Sequence, residues 1–256
     1  MECQQAVAEA AVVLLHGSAG SSALWKGIRD QLAPLHEIFA PDLIGYGESA
    51  PWRKNRALTL RDEARRVAAL IPCCEDLHLV GYSYGGAVAM ALAAEDPVRV
   101  RSLTLIEPVL FFALNEGGEH EALGTLKDVQ ARFDAGVALG EREGAMREFI
   151  DFWTGEGAWL RLPRPHRVAA LTAADKISLD WRACFAFEPP VSFLRSMAKR
   201  TLLIRGDRSP PPMIRLVDAL HRLMPGSNLA VIQGGDHLLP LRRKHDVAEL
   251  VKAQLR

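Results

Sequence analysis

The fold is decided by residues 77–90, which read LHLVGYSYGGAVAM. The apolar run Leu77–Val80 predicts a buried strand, and the small-residue stretch Ala87–Ala94 predicts a helix that is buried on all sides. Between them, positions 81–85 read GYSYG, a glycine-flanked serine in a turn from strand to helix. Such a turn holds the serine in a strained backbone conformation and projects its hydroxyl beyond the carboxyl edge of the sheet. This context predicts Ser83 as a nucleophile; a glycine-rich structural turn is the alternative.

Apolar runs on both sides of this stretch predict further strands, and amphipathic helical patterns alternate with them. One helical pattern runs from Leu60 to Ile71, and another covers the C-terminal stripe from Val247 to Leu255. Alternating strands and helices are typical of parallel βαβ units. We therefore predict a three-layer α/β/α fold with a mostly parallel sheet of about six strands. The predicted strands are Val12–Leu15, Glu37–Pro41, Leu77–Val80, Val100–Ile106, Thr201–Arg205 and Asn228–Ile232.

The strand signal disappears between residues 109 and 199, where helical periodicities dominate. Roughly 90 residues are too many for an ordinary crossover connection. We interpret this segment, 109–199, as a helical lid inserted into a core that is formed by residues 1–108 and 200–256. A set of ordinary connecting helices is the alternative.

Two loops that follow predicted strands carry the other candidate site residues. Positions 234–237 read GGDH after the last strand, so His237 can reach the sheet edge and act as the base that takes the Ser83 proton. Positions 16–20 read HGSAG after the first strand. An oxyanion hole needs two convergent N–H donors, and we expect them from Tyr84 and from either Ser18 or Ala19. His16 is interpreted as structural.

Composition narrows the class of protein. The chain has 31 Lys plus Arg and 31 Asp plus Glu, so its formal net charge is zero. No overall positive electrostatic field is therefore expected to attract nucleic acid or an anionic membrane. The N-terminal apolar run is too short for membrane insertion, and no secretory signal is expected. The four cysteines, Cys3, Cys73, Cys74 and Cys184, lack metal-ligand spacing. Adjacent cysteines rarely suit a structural disulfide and a chain of this size does not need one, which favours a reduced cytoplasmic location. The oligomeric state cannot be predicted.

The segments HGSAG, DLIGYGES, GYSYGG and GGDH, in this order and spacing, resemble the α/β-hydrolase fold superfamily. More narrowly they are similar to its lidded, cofactor-free members, which are carboxylesterases, lipases and carbon–carbon bond hydrolases. The resemblance covers roughly residues 11–108 and 200–255, and it implies that Asp42 is a structural residue in a loop beside the active site. The antiparallel strands with which the family usually opens are not expected here, because only about ten residues precede the first strand.

The resemblance leaves the catalytic acid open. In most of the family it is an Asp at the position that Ser209 occupies here, and serine cannot carry the charge. Some relatives, including certain haloalkane dehalogenases, carry the acid at the end of the strand that Glu107 follows in this chain. A carboxylate at the end of an apolar strand is also costly without a partner. We therefore prefer Glu107, with Asp207 as the alternative and a dyad without an acid as a third possibility.

The resemblance also narrows the reaction. A serine nucleophile excludes the relatives that attack with Asp, and no tyrosine lies in segment 109–199, so the tyrosine pair of epoxide hydrolases is absent. We expect cleavage of a small, hydrophobic, uncharged ester through an acyl-enzyme on Ser83, with no metal or organic cofactor. Aromatic side chains of the insertion could line an apolar pocket, although most are expected to be core. They are Phe111, Phe112, Phe133, Phe149, Phe152, Trp153, Trp159, Trp181, Phe185, Phe187 and Phe193.

Two other functions stay open at this point. The first is carbon–carbon bond hydrolysis of a vinylogous keto-acid, in which case the small-molecule substrate is a ketone. This reaction requires cationic side chains that bind the carboxylate of the substrate. Arg182, Arg195 and Lys199 are the candidates. The second is a ligand receptor that keeps the triad and signals by a movement of the lid.

Overall fold

The computed structural model describes residues 10–33, 36–53, 55–71 and 76–255. Its six strands are β1 (Ala10–Leu15), β2 (Glu37–Phe39), β3 (Asp76–Tyr82), β4 (Val100–Ile106), β5 (Thr201–Gly206) and β6 (Asn228–Ile232). They form one sheet in the order β2-β1-β3-β4-β5-β6, and every neighbouring pair is parallel. The predicted α/β class and all six strands are confirmed. The edge strand β2 ends two residues before the predicted boundary at Pro41, a residue that has no N–H to donate to a ladder.

Two helical layers cover the sheet. Strand β1 shows why, since Ala11, Val13 and Leu15 pack into one core cluster while Val12 and Leu14 pack into the other. Side chains of a strand alternate between faces, so a strand that is apolar at every position must be covered on both. The helices that flank the sheet are α1 (Lys26–Leu32), α2 (Leu60–Ala68), α3 (Tyr84–Glu95), α11 (Pro211–Leu223), α12 (Leu239–Arg242) and α13 (Lys244–Gln254).

Helix α3 is the central helix of the fold. Residues 84–93 are all buried, as its uniformly apolar sequence predicted. Helix α2 shows the opposite pattern, because it is amphipathic and begins at a capping box between Thr59 and Asp62.

All the chain between β4 and β5 is helical or irregular. The helices there are α4 (Phe112–Glu116), α5 (His120–Ala138), α6 (Arg142–Thr154), α7 (Ala158–Arg161), α8 (Arg164–Thr172), α9 (Ala174–Phe185) and α10 (Val191–Met197). Their apolar side chains join the larger core cluster, which also contains residues of α2 and α3. We call residues 109–199 the insertion.

Two further observations concern membrane-spanning segments and cysteines. No helix in the described parts of the chain combines the length and the hydropathy that a bilayer-spanning segment needs. Cys184 on α9 is a buried free thiol, whereas Cys3, Cys73 and Cys74 lie outside the described residues.

Candidate active site

Ser83 occupies a tight turn between β3 and α3. Its φ is 52° and its ψ is −118°, a conformation that costs a non-glycine residue free energy. The turn depends on glycine at its flanks. A Cβ on Gly81 would lie 2.3 Å from the Gly85 carbonyl oxygen, and one on Gly85 would lie 2.2 Å from the Leu15 carbonyl oxygen. The backbone segments therefore approach one another closely enough to force the Ser83 side chain outward.

The strained backbone positions gather around this turn. Among the described non-glycine residues, positive φ angles occur only at Ala19 (56°), Ser83 (52°) and Glu107 (47°). Each follows a strand at the carboxyl edge of the sheet, where ligands bind in open α/β folds. Strain of this kind concentrates at functional sites, so the three positions indicate one site.

His237 joins Ser83 to Glu107 through its two ring nitrogens. Nε2 lies 3.2 Å from Ser83 Oγ, and Nδ1 lies 2.9 Å from Glu107 Oε2. An ionised carboxylate can only accept, so Nδ1–H donates to Glu107 and Nε2 is left to accept the hydroxyl proton of Ser83. This is the tautomer that a general base needs.

The Glu107 carboxylate is fully buried and fully hydrogen bonded. Its Oε1 accepts from the Gly206 N–H at 2.7 Å and from the Ser209 hydroxyl at 2.5 Å, while Oε2 faces His237. A buried charge is tolerated when such donors surround it. Ser209, at the position where the resemblance implied the family's usual acid, thus donates to the carboxylate of Glu107. The structure does not bring Asp207 into this group, because its side chain is exposed and not hydrogen bonded to His237.

Aromatic rings enclose the imidazole of His237, which is 5% exposed. The Trp153 ring of α6 stacks on it with 4.6 Å between centroids and 28° between planes. The Tyr82 ring approaches at 5.3 Å. The insertion therefore contributes directly to the surroundings of the candidate base.

The loop after β1 also lies beside the turn, since a Cβ on Gly17 would be 3.1 Å from the Ser83 Cβ. His16 is buried, its Nδ1 lies 2.8 Å from the Gly17 carbonyl oxygen, and its Nε2 accepts from the Leu43 N–H at 3.1 Å. Burial lowers the pKa of His16, which keeps the ring neutral and suits this structural role. Ser18 and Ala19 line the cavity together with Tyr84, which begins α3 and so has an N–H without an intrahelical partner.

Ser18 and Ala19 are both candidates for the second oxyanion donor, because both line the cavity beside Ser83. Asp42 is a structural residue of the neighbouring loop, since its carboxylate accepts from the N–H groups of Ser22 at 2.6 Å and Glu48 at 2.9 Å.

A cavity of about 340 Å³ opens beside Ser83 and His237. Four of the predicted aromatic residues line it, namely Phe111, Phe149, Trp153 and Trp181. Others, such as Trp159 and Phe133, are core residues.

Arg182, Arg195 and Lys199 are exposed and do not line this cavity, and Arg182 pairs with Asp134 at 3.0 Å. Among the described residues, no group of three or more His, Cys, Asp and Glu side chains is placed to hold a metal ion.

The sequence analysis missed three charged residues close to this cavity. Glu63, Lys176 and Asp180 are buried, both carboxylates accept from Lys176 Nζ, and Asp180 lines the cavity. The sequence offered one indication of this group, because Lys176 and Asp180 are four residues apart and so share a helical face. Pairs with this spacing are usually exposed to solvent, so the pattern alone did not predict a buried cluster.

Comparisons with known proteins agree with this architecture. The lipase LipV of Mycobacterium tuberculosis is 28% identical over an alignment 271 positions long, which covers 96% of this chain and 93% of the lipase. An esterase from Thermogutta terrifontis has a TM-score of 0.72 at 22% identity and covers 98% of this chain and 90% of its own. A meta-cleavage product hydrolase from Pseudomonas fluorescens has a TM-score of 0.70 at 18% identity, and the match covers 97% of this chain and 92% of the hydrolase. At these identities the two structures show the fold alone. The model of the alpha/beta hydrolase family matches residues 12–250, and so the chain belongs to the alpha/beta hydrolase family.

Proposed function

We propose that this protein is a serine hydrolase that cleaves a small, hydrophobic, uncharged carboxylic ester. The observation that carries the proposal is the position of His237, whose two nitrogens lie 3.2 Å from Ser83 Oγ and 2.9 Å from Glu107 Oε2. A nucleophile, a base and a group that orients the base are the parts that acyl transfer requires.

In the first half of the reaction Ser83 Oγ attacks the carbonyl carbon of the ester and His237 Nε2 takes its proton. The oxyanion that forms is stabilised by the backbone N–H groups of Tyr84 and of Ser18 or Ala19. The bond from the carbonyl carbon to the alcohol oxygen then breaks, and His237 gives its proton to the departing alcohol. Glu107 stays ionised throughout and stabilises the imidazolium.

In the second half a water molecule attacks the acyl group on Ser83 while His237 takes one of its protons. The bond between the acyl carbon and Ser83 Oγ breaks, the proton returns to Ser83, and the carboxylic acid leaves. Every proton that moves passes through Nε2 of His237, which explains why the ring needs a fixed orientation.

The cavity supports the substrate class. Its volume of about 340 Å³ is at the lower end for small-molecule sites, and its walls are rich in apolar and aromatic side chains. Asp180, the carboxylate among its lining residues, has both oxygens engaged by protein donors, so it is not available to a cationic substrate.

We also propose that the insertion, residues 109–199, is a lid over this site. Phe149, Trp153 and Trp181 come from the insertion, whereas Ser83 and His237 come from the core, and all five line the same cavity. Ester cleavage is favoured over carbon–carbon bond hydrolysis because the predicted carboxylate-binding cations, Arg182, Arg195 and Lys199, do not line the cavity. Two other arginines do line it, but Arg242 pairs with Asp236 and Arg161 donates to the Glu156 carbonyl oxygen.

The proposal is tested with a fluorophosphonate probe and with p-nitrophenyl butyrate. Wild-type protein should be labelled and should turn the ester over, and Ser83→Ala should lose both. The matched control is Thr154→Ala, which removes another hydroxyl from the cavity wall and should be labelled like the wild type. Labelling that survives in Ser83→Ala, or wild-type protein without Ser83-dependent turnover of any short ester, would contradict the proposal.

A further inference from the structure

A buried group of charged side chains lies outside the proposed triad. Lys176 Nζ on α9 donates to Glu63 Oε1 on α2 at 3.0 Å and also to Asp180 Oδ1. The three residues are 8%, 0% and 1% exposed. The Lys176 ammonium also lies 4.7 Å from the ring centroid of Tyr46 and 4.6 Å from that of Tyr84. Burying three charges costs free energy that an apolar cluster would not cost, so the cluster calls for an explanation beyond packing.

One end of this cluster holds the loop after β1. Asp180 Oδ2 accepts from the Ser18 hydroxyl at 2.6 Å and from the Tyr46 hydroxyl at 2.6 Å. The next residue, Ala19, has a φ of 56° that the surroundings must maintain. A side chain of the insertion therefore fixes the loop that carries one candidate oxyanion donor.

The other end holds the start of α3. Glu63 Oε1 accepts from the Tyr84 hydroxyl at 3.1 Å, and Oε2 accepts from the Ile44 N–H at 3.0 Å. Tyr84 follows the nucleophile and carries the second candidate oxyanion donor. Lys176 thus bridges two carboxylates, one bonded to Ser18 and the other bonded to Tyr84.

We propose that Glu63, Lys176 and Asp180 are positioning residues that hold the two halves of the oxyanion hole at a fixed separation. The inference rests on the proposed function, since it concerns the same serine hydrolase site. It also gives α9 of the insertion a definite role, because Lys176 and Asp180 reach the oxyanion loop from that helix and not from the core.

The protonation of the cluster agrees with this role. Burial acts to lower the pKa of Lys176, but Asp180 and Glu63 outweigh it and raise the pKa, so the ammonium keeps its charge. Burial and the nearby Asp180 carboxylate raise the pKa of Tyr46 well above its usual value. The Tyr46 hydroxyl therefore stays a donor to Asp180 at neutral pH.

The central test is Asp180→Asn compared with Asp175→Asn. In the wild type Asp180 Oδ2 accepts from Ser18 and Tyr46, and Oδ1 accepts from Lys176. The amide has one acceptor oxygen, so it loses either the bonds from the two hydroxyls or the bond from Lys176, and in both cases the link between the loop and Glu63 is broken. Asp175 lies on the same helix, but its partner is Arg142 in an exposed ion pair, at 2.8 Å. We expect Asp180→Asn to lower kcat for p-nitrophenyl butyrate by roughly 10- to 100-fold with little change in KM, which is less than the loss of a whole oxyanion donor. Asp175→Asn should stay within about twofold of wild type.

A second, milder variant distinguishes the loss of this loop contact from a general folding defect. Ser18→Ala removes the hydroxyl that Asp180 binds but keeps the backbone N–H. It should lower kcat in the same way, and the double variant with Asp180→Asn should lose less than the product of the two single losses. Multiplicative losses in folded variants would show that the two side chains act separately and would overturn the proposal.

Amide hydrogen exchange separates this inference from the proposed function. Peptides that cover residues 16–20 and 82–86 should exchange faster in Asp180→Asn than in wild type, and peptides from β5 and β6 should not change. This readout needs no turnover, so it decides the positioning role even if the wild type hydrolyses no ester. Unchanged exchange in both peptides of folded Asp180→Asn would overturn the inference.

Discussion

Replacing Glu107 by Gln keeps the shape of the side chain and removes its charge. In the wild type, Oε1 accepts from the Gly206 N–H at 2.7 Å and from the Ser209 hydroxyl at 2.5 Å, so the remaining oxygen of the amide must keep this position. The new NH₂ group then faces His237 Nδ1, which is 2.9 Å from Glu107 Oε2. Since that group donates, Nδ1 must accept, and the ring proton moves to Nε2.

The size of the effect follows from this change of tautomer. A protonated Nε2 faces Ser83 Oγ as a donor and can no longer take the hydroxyl proton. Loss of the orienting carboxylate in a serine triad costs about 10⁴-fold in kcat. We expect a loss of roughly 10³- to 10⁴-fold here, which corresponds to about 4 to 5.5 kcal/mol in the activation free energy.

The assay is the initial rate of p-nitrophenyl butyrate hydrolysis, with the rate of fluorophosphonate labelling as a second readout. Asp207→Asn is the matched control, because Asp207 is exposed and lies after the neighbouring strand β5. It should retain activity to within about twofold. Glu107→Gln with more than a tenth of wild-type kcat, together with a large loss in Asp207→Asn, would refute the assignment of the acid.

Three further predictions concern pH, folding and specificity. His16 has a pKa that burial lowers, so below about pH 6.5 the unfolded chain binds a proton that the folded protein excludes. Stability should therefore fall between pH 7 and pH 5, by at most about 1.4 kcal/mol per pH unit for this group, and urea unfolding of His16→Gln should show a smaller slope. Gly81→Ala should prevent accumulation of folded protein, measured by soluble yield and circular dichroism, because its Cβ would lie 2.3 Å from the Gly85 carbonyl oxygen. Phe149→Ala should enlarge the cavity and raise the ratio of kcat/KM for p-nitrophenyl octanoate over butyrate by about tenfold or more.

Each of these three has an outcome that would contradict it. An unchanged pH slope in His16→Gln would mean that other groups govern acid sensitivity. A well-folded Gly81→Ala protein would show that the turn can relax. If Phe149→Ala left the chain-length preference unchanged while a matched change at a core position, Phe133→Ala, altered it, the cavity would not be the acyl site.

The sequence by itself determined the sheet and the positions of Ser83 and His237, the proposed nucleophile and base. Continuous apolar runs can satisfy their backbone only in a covered sheet, and a glycine-flanked serine between such a run and a small-residue helix has few other conformations. These signals are local, so all six strands and the turn at Ser83 could be predicted. His237 could be predicted for a similar reason, because it follows the last strand in a glycine-rich loop.

Only the tertiary structure decided which side chains meet across the sheet edge. Glu107 and Asp207 each follow a strand, so the order of residues in the chain does not tell which carboxylate reaches His237. In the folded structure it is Glu107, whose Oε2 accepts a hydrogen bond from His237 Nδ1. The cluster of Glu63, Lys176 and Asp180 was hidden for the same reason. A charged residue on an amphipathic helix has the same local pattern whether it faces water or, as Lys176 does across 113 residues, a carboxylate on another helix. Burial and pairing of this kind are properties of distant segments in contact, and no local pattern encodes them.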